Sequence, residues 1–260
     1  MSYVLRFSSL VLALSFVALW LSVGIGVFLR KRRRSVEENE REDFGTIMTA
    51  ILTLLGLIIG FSFSMAIYRY DQRKVLEEAE ANAIGTEYVR ADFLPAPDAA
   101  KVRALLRGYL DQRLLYYTTR DEKELAQIES ATAQLEAELW EAVQVPAAAQ
   151  PTAPLTITAM GMNDVLNSRG YTQAAWLNRI PNAAWCLMAV IAICSNLLIG
   201  YGGHRGGART TLLLVLPLII AVSFTLIADI DSPRGGVVRV HAENLVSLAQ
   251  SLRARSPNNQ

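Results

Sequence analysis

The sequence predicts an all-α integral membrane protein with four transmembrane helices and a water-facing helical bundle inserted between helices 2 and 3. Four runs free of Asp, Glu, Lys and Arg are long enough to cross about 30 Å of hydrocarbon at about 1.5 Å per residue. Charged residues still make up 19% of the chain, and more than half of them lie between the second and third runs. This division predicts a water-facing part of substantial size.

The four charge-free runs are 7–29, 44–68, 181–203 and 210–228. The first ends in five consecutive basic residues, Arg30 to Arg34, and has no small-residue cleavage site, so we interpret it as a retained membrane helix and not as a signal peptide. The predicted parts follow from these runs: 1–69 with transmembrane helices 1 and 2, 70–180 as the helical extramembrane domain, 181–229 with helices 3 and 4, and 230–260 as a C-terminal tail with a short amphipathic helix.

The second run passes into charged sequence without a helix-breaking residue until Leu94-Pro95, which predicts one long helix. Within the bundle, Asp98 is the expected N-cap of the next helix, and a further helix is expected to start around Asp121 with acidic residues in its first turn. Apolar residues at alternating spacings of three and four from Leu125 to Ala142, interrupted by Thr132, predict a packing seam. The Pro/Ala-rich segment 145–154 is the expected linker, and one more helix is expected over 155–178.

Small and hydroxyl-bearing side chains recur every three or four residues along the second run and therefore share one helix face. We call these five residues the small-residue stripe: Thr49, Thr53, Gly56, Gly60 and Ser64. Phe63 and Ile67 follow on nearly the same face. Such a stripe either lets another helix of the same chain approach closely or lines a polar path between several copies. In the second case, Phe63 and Ile67 would form an apolar constriction after a hydroxyl-lined entrance.

Charged residues follow the second and the fourth charge-free runs. Arg69 and Arg73 directly follow the stripe and are candidates for attracting ions to the mouth of a pore. Asp229 and Asp231 follow the fourth run, where they either stabilise a turn, pair with one of these arginines or contribute oxygen ligands to a cation. No third oxygen ligand can be assigned beside them, so the sequence predicts no metal site.

Other classes of function have little support in the sequence. The two histidines, His204 and His241, lie beside no nucleophile and no metal-ligand partner, so no enzyme and no cofactor is predicted. Glu77 and Glu78 are adjacent and are expected to be solvated surface charges. The net charge of +1 and the lack of a basic face argue against a nucleic-acid partner.

Several motifs resemble those of known membrane proteins. Gly60-Phe61 followed by Tyr68-Arg69-Tyr70 resembles the pore-helix exit of bestrophins, which are anion channels. The chain from about residue 45 onward also resembles the bacterial bestrophin-like domain family, largely a domain of unknown function. The motifs that carry this resemblance are Glu80-Ala-Asn-Ala-Ile-Gly-Thr-Glu-Tyr88, Leu94-Pro95, Arg179-Ile-Pro181 with Trp185, and Asp229-Ile-Asp-Ser-Pro233.

The resemblance implies a homo-oligomeric channel in the bacterial inner membrane, with the second membrane helix lining a pore for small ions, anions among them. Its partners would be the lipid bilayer, further copies of the chain and the ions. The alternative function is a membrane-anchored sensor or scaffold whose bundle binds a partner. Bestrophins would place the bundle in the cytoplasm, whereas Lys and Arg near the helix ends are divided equally between the two sides of the membrane.

Overall fold

The computed structural model describes residues 8–32, 38–202 and 212–254, and its regular elements in these ranges are all helical. The predicted all-α fold is confirmed. The α-helices are α1 (Ser8–Arg32), α2 (Glu38–Arg90), α3 (Ala96–Thr118), α4 (Glu122–Ala149), α5 (Ala153–Leu177), α6 (Asn182–Gly202), α7 (Leu212–Asp231) and α8 (Glu243–Ala254). A short 3-10 helix, Ala91–Phe93, directly follows α2. The basic residues 33 and 34 and His204 lie outside the described residues.

Four helical segments are long and apolar enough to cross a membrane, as predicted. They are Ser9–Arg32, Phe44–Phe93, Ala153–Gly202 and Leu214–Asp231. The second and third comprise 50 residues each, and the third consists of two helices, α5 and α6. The second alone would measure about 75 Å at about 1.5 Å per residue, which exceeds the hydrocarbon thickness more than twofold. Only their charge-free parts, at 44–68 and from 181, are therefore expected to span the bilayer.

Helix α2 is continuous from Glu38 to Arg90, as the sequence predicted. It contains no proline, and it ends where the 3-10 helix and the extended Leu94 precede Pro95. The chain divides into two compact units, and α2 contributes to both. The membrane unit comprises 1–70 with 179–239, and the bundle unit comprises 71–178 with 240–260.

In the membrane unit, α1 packs against α6 and α7. The closest approach is made by two glycines: a Cβ on Gly26 would collide with the carbonyl oxygen of Leu197, and one on Gly200 with that of Val23. The backbones of α1 and α6 thus lie in direct contact, in the manner of small-residue membrane interfaces. The core is completed by buried apolar side chains that include Trp185, Met188 and Ile227.

In the bundle unit, α3 packs against α4 and α8, and α4 packs against α5. The predicted seam is present, since Ile128, Thr132 and Leu139 are buried on α4. The Thr132 hydroxyl donates to the carbonyl of Ile128 at 2.6 Å, which satisfies this polar group inside the seam. Helix α4 begins at Glu122, next to the predicted start at Asp121, and has the expected acidic first turn with Glu122 and Glu124. Asp121 is its N-cap, and the Asp121 carboxylate accepts a hydrogen bond from the Lys123 amide at 2.8 Å.

Three boundaries in the bundle unit differ from the expectation. Helix α3 begins at Ala96 after the N-cap Pro95, so Asp98 lies in its first turn and is not the cap. Helix α4 continues through Pro146 to Ala149, because one lost hydrogen bond near a helix end is offset by three alanines with high helix propensity. The linker therefore shrinks to residues 150–152.

The third difference concerns the bounds of the tail, which was predicted as residues 230–260 with a short amphipathic helix. Its helix α8 groups with the bundle unit, where Leu245, Ala249 and Leu252 are buried. The side chain of Glu77 on α2 accepts hydrogen bonds from the Leu245 amide at 2.9 Å and from the Asn244 side chain at 2.6 Å. A carboxylate from another helix thus binds the first turn of α8, where backbone N–H groups have no helical partner.

Candidate functional site

The small-residue stripe lies on the surface of the membrane unit. Thr49, Thr53, Gly56, Gly60 and Ser64 are all exposed. Of the two apolar residues that follow, Ile67 is exposed and Phe63 is partly buried at the edge of the core. The structure therefore presents the predicted residues together on one accessible face of α2.

Among the described residues, the glycines of the stripe have no packing partner. A Cβ built on Gly56 or on Gly60 would meet no atom of the described residues within 4 Å. This is the opposite of Gly26 and Gly200, where α1 and α6 touch. In the described part of the chain, no other helix packs on these two glycines as a packing seam would require.

A second exposed face of α2 has a different composition, and we call it the bulky strip. Its members are large and mostly apolar, and all are exposed: Ile47, Leu54, Leu57, Phe61, Met65 and Tyr68. At about 100° per residue, the bulky strip lies about 110° around the helix from the small-residue stripe. The third face of the helix contains Leu55, Ser62 and Ala66 and is buried. It occupies the side of α2 that neither exposed face covers. Large apolar side chains suit contact with lipid, whereas a face of glycines and hydroxyls does not.

The two threonines of the stripe use their hydroxyl hydrogens within the helix. Thr49 donates to the carbonyl of Gly45 at 2.9 Å, and Thr53 donates to the carbonyl of Thr49 at 2.8 Å. Each hydroxyl oxygen keeps lone pairs that can accept a hydrogen bond from water or coordinate a cation. The face is therefore polar although the hydroxyl hydrogens of both threonines are satisfied.

Arg69 pairs with one of the two predicted carboxylates. Its Nη1 lies 3.3 Å from Oδ1 of Asp231, and its side chain is 14% exposed. Asp231 also accepts from the backbone amide of Ile180 at 3.0 Å. The carboxylate thus ties the end of α7 to the start of the α6 segment and to α2, and it balances the charge of Arg69.

Asp229 stabilises the turn after α7. Both of its oxygens accept from the Val237 amide at 2.9 Å, and one accepts from the Val238 amide at 2.8 Å. A Cβ on Gly236 would lie 2.6 Å from the Asp229 carboxyl carbon, so the turn closes on the carboxylate only with glycine there. Of the three roles considered for Asp229 and Asp231, the structure shows the turn at Asp229 and the arginine pair at Asp231, and the described residues contain no group of three or more potential metal ligands.

Arg73 does not present its charge to solvent as expected for a residue at a pore mouth. It is 1% exposed, and its guanidinium donates to the carbonyls of Ala175 at 3.3 Å and Asn178 at 3.4 Å. These carbonyls lie at the C-terminal end of α5, where backbone oxygens lack helical partners. Arg73 therefore fastens α2 to the end of α5.

A buried polar cluster in the bundle unit was not predicted from the sequence. The Glu80 carboxylate is fully buried and forms an ion pair with Arg113 of α3. It also accepts from the hydroxyls of Tyr117 at 3.3 Å and Thr172 at 3.1 Å. We call these four residues the Glu80 cluster. One carboxylate thus joins α2, α3 and α5.

The electrostatics of this cluster stabilise its protonated donors. Burial by itself lowers the pKa of Arg113, but the charge and hydrogen bond of Glu80 outweigh it and raise that pKa. Burial, and after it the charge of Glu80, raises the pKa of Tyr117, so its hydroxyl remains a donor. The guanidinium of Arg113 also lies 4.4 Å from the centre of the Tyr116 ring, a cation–π contact.

A periodic signal for this buried face is present in the sequence. Arg73, Glu77, Glu80, Ile84 and Glu87 recur at spacings of four, three, four and three, and all are buried. The prediction that Glu77 is a solvated surface charge is wrong, because it caps α8, whereas Glu78 is exposed. The spacing of Glu77 from the other four residues places it on their buried face, whereas its charge had suggested a solvated position.

Comparison with known proteins identifies the family. The sequence profile of the bestrophin-like domain matches residues 12–245, most of the chain. The chain belongs to the bestrophin-like domain family. The resemblance noted from the sequence is therefore confirmed. Among curated proteins, none matches this bestrophin-like chain significantly in sequence.

Solved structures share the fold of this bestrophin-like chain. A variant of a bacterial bestrophin homologue from Klebsiella pneumoniae matches with a TM-score of 0.65 at 12% identity, over 96% of this chain and 99% of that one. Another structure of the Klebsiella pneumoniae homologue matches with a TM-score of 0.63 at 13% identity, over 92% and 97%. A structure described as a membrane protein variant gives 0.66 at 11% identity, over 93% and 97%. At such identities the likeness establishes the fold, and the chain is a multi-pass membrane protein of bestrophin-like architecture.

Proposed function

We propose that this protein forms a homo-oligomeric ion channel in the bacterial inner membrane, with the small-residue stripe of α2 lining the path. The observation that supports the proposal is the exposure of Gly56 and Gly60. No atom of the described residues lies within 4 Å of a Cβ built on either glycine. Membership of the bestrophin-like family supports the same function.

The exposed stripe is poorly suited to lipid. Glycine leaves the helix backbone uncovered, and threonine and serine place oxygen atoms on a surface where hydrocarbon offers no hydrogen bond. The bulky strip next to it has the composition expected for contact with lipid or with an apolar neighbour. Several copies arranged around an axis would turn the stripe toward water and remove this conflict.

The order of residues suits a gated path. Thr49, Thr53 and the two glycines come first, and the larger Phe63 and Ile67 follow. In a ring of copies, the second part would be narrower and apolar, and such constrictions can gate by losing water. Arg69 stands at the end of this path as a candidate for attracting anions, although Asp231 offsets much of its charge. Arg73, being buried, has no part in the proposal.

Conductance of the purified protein in planar bilayers tests the proposal directly. We expect ion currents that change in size or in open probability when Phe63→Ala and Ile67→Ala are combined. Leu54→Ala, on the bulky strip, is the matched control and should leave unitary conductance unchanged. Absence of current, or currents unaltered by the double substitution, would refute the pore assignment. Reversal potentials in asymmetric salt would then decide between anions and cations.

Cysteine accessibility provides a second test on neighbouring residues. In a background with Cys186→Ala and Cys194→Ala, Thr53→Cys and Leu54→Cys place single thiols about 100° apart on α2. A membrane-impermeant, charged thiol reagent should modify the first and spare the second in reconstituted vesicles. Equal modification of both, or of Leu54→Cys alone, would contradict a water-filled path along the stripe.

The scaffold function makes a different prediction for oligomeric state. Disulfide crosslinking of Gly60→Cys in the same background should join pairs of chains through the stripe if it faces a common axis, and native mass spectrometry of the uncrosslinked protein should show an oligomer larger than a dimer. A monomer, or a dimer crosslinked only through the bundle unit, would instead favour a membrane-anchored scaffold or sensor.

A further inference from the structure

Glu87 is a buried carboxyl group that has no hydrogen-bond partner among the described residues. Its side chain is fully buried on α2, and neither of its oxygens accepts or donates a hydrogen bond there. The nearest cationic atom in the described structure is Nη1 of Arg90 at 4.0 Å, beyond hydrogen-bond distance. An ionised carboxylate in such a place is poorly solvated, so its surroundings favour the neutral acid.

Helix α5 closes directly over this carboxyl group. A Cβ on Gly161 would collide with the side-chain ends of Glu87 and Arg90, so the missing side chain of Gly161 lets both groups lie directly against the α5 backbone. One turn earlier on α5, the hydroxyl of Thr158 donates to the Arg90 carbonyl at 3.3 Å. The carboxyl group is thus enclosed at a contact between α2 and α5.

The charged groups around Glu87 do not compensate one another. On its own helix Arg90 attracts the ionised form but is one-third exposed, and on α5 Asp164 repels it. On the 3-10 helix, Asp92 is bound by Arg103 of α3. Burial, partly countered by Arg90, raises the pKa of Glu87 from its ordinary value of 4.5 to about 7.

We propose that Glu87 is a proton-operated switch in the bundle unit, which holds α5 against α2 when the carboxyl group is protonated and loosens this contact when it is ionised. The ionised group needs a partner or water, which it gains either by an inward movement of Arg90 or by separation of α5 at Gly161. The proposal concerns the bundle unit alone and does not depend on ion conduction.

The sign of the effect follows from linkage. Because the pKa of Glu87 is higher in the closed state than in the open one, the closed state binds more protons between about pH 4.5 and pH 7. The contact is therefore most stable in acid and weakens as the pH rises through this window. From pH 6 to pH 8, the equilibrium for local opening of α5 should rise about tenfold.

Hydrogen exchange of the full-length protein in lipid nanodiscs, followed by mass spectrometry, measures this opening. After correction for the intrinsic pH dependence of exchange, amides of α5 around Gly161 should show the tenfold increase in the wild type. Glu87→Gln, which is neutral at every pH, should abolish it. Glu78→Gln, which changes an exposed carboxyl group on the same helix, should retain it. An unchanged pH dependence in Glu87→Gln, or none in the wild type, would overturn the proposal.

Infrared difference spectroscopy gives a readout that a purely structural role would not move. Between acidic and alkaline buffer, the wild type should lose the carbonyl band of a buried protonated carboxylic acid with a midpoint near neutral pH. This band should be missing in Glu87→Gln and present in Glu78→Gln. A band that titrates near the ordinary pKa of glutamate would also refute the switch, and this measurement on the wild type requires no variant to fold.

Discussion

Arg113→Leu would remove the only cationic partner that the described structure gives the Glu80 carboxylate. Glu80 is fully buried, and after the substitution only the hydroxyls of Tyr117 and Thr172 would still donate to it. Removing one member of a buried ion pair costs about 3–5 kcal/mol, since the remaining charge stays desolvated. Because two hydroxyl donors remain, we expect a loss at the lower end of this range. The substitution should reduce the free energy of unfolding of the bundle unit by about 3 kcal/mol.

Tryptophan fluorescence during urea unfolding in detergent can measure this loss. Trp176 lies 5.2 Å from Tyr116 and 5.3 Å from Tyr117 between ring centres, so it reports on the packing around the cluster. The variant Arg113→Leu should unfold at clearly lower urea, and adding Glu80→Gln should restore part of the stability because it removes the unpaired charge.

The matched control is the ion pair between Arg103 and Asp92, in which the aspartate side chain is 67% exposed. Arg103→Leu should cost no more than about 1 kcal/mol, as is usual for exposed pairs. If Arg113→Leu cost as little as Arg103→Leu, or if Glu80→Gln gave no recovery, the reasoning that the Glu80 cluster holds three helices together would fail.

Two further predictions concern helix contacts. Gly26→Ala should lower the thermal unfolding temperature of the detergent-solubilised protein, because its Cβ would collide with the Leu197 carbonyl, and overpacking costs about 1–3 kcal/mol. Gly24→Ala, whose Cβ meets no described atom within 4 Å, should not lower it, and equal effects would contradict the α1–α6 contact. Glu77→Ala should expose α8 to limited proteolysis, because it removes the acceptor of the Leu245 amide. The control Glu78→Ala should leave α8 protected. If α8 stays intact in both variants, the cap is dispensable.

Much of the fold was predictable because its signals are local. A charge-free run of sufficient length indicates a membrane helix wherever it lies, and Asp121 caps α4 through an amide only two residues away. The absence of proline in the second run similarly predicted the continuous α2. Prediction was less accurate where proline and alanine occur together. The Pro/Ala-rich segment 145–154 was expected to be a linker, but α4 continues through Pro146 to Ala149.

The candidate site divides in the same way. The periodicity of α2 alone grouped Thr49, Thr53, Gly56, Gly60 and Ser64 on one face. Whether that face packs inside the chain depends on the positions of α1, α6 and α7, and no described residue packs on its two glycines. The pairing of Arg69 with Asp231, separated by 162 residues, likewise requires that helices distant in sequence come together.

Local sequence is sufficient to predict the helices, the four candidate spans and the composition of each face of α2, since these properties depend on residues within a few turns of one another. Which face is buried depends on how the helices pack. Glu80 meets Arg113 across 33 residues and Glu77 meets Leu245 across 168, and these partners turn charges that looked solvated into buried links between helices. Burial depends on which helices pack together, and long-range packing of this kind leaves no local pattern that separates a buried charged face from an exposed one.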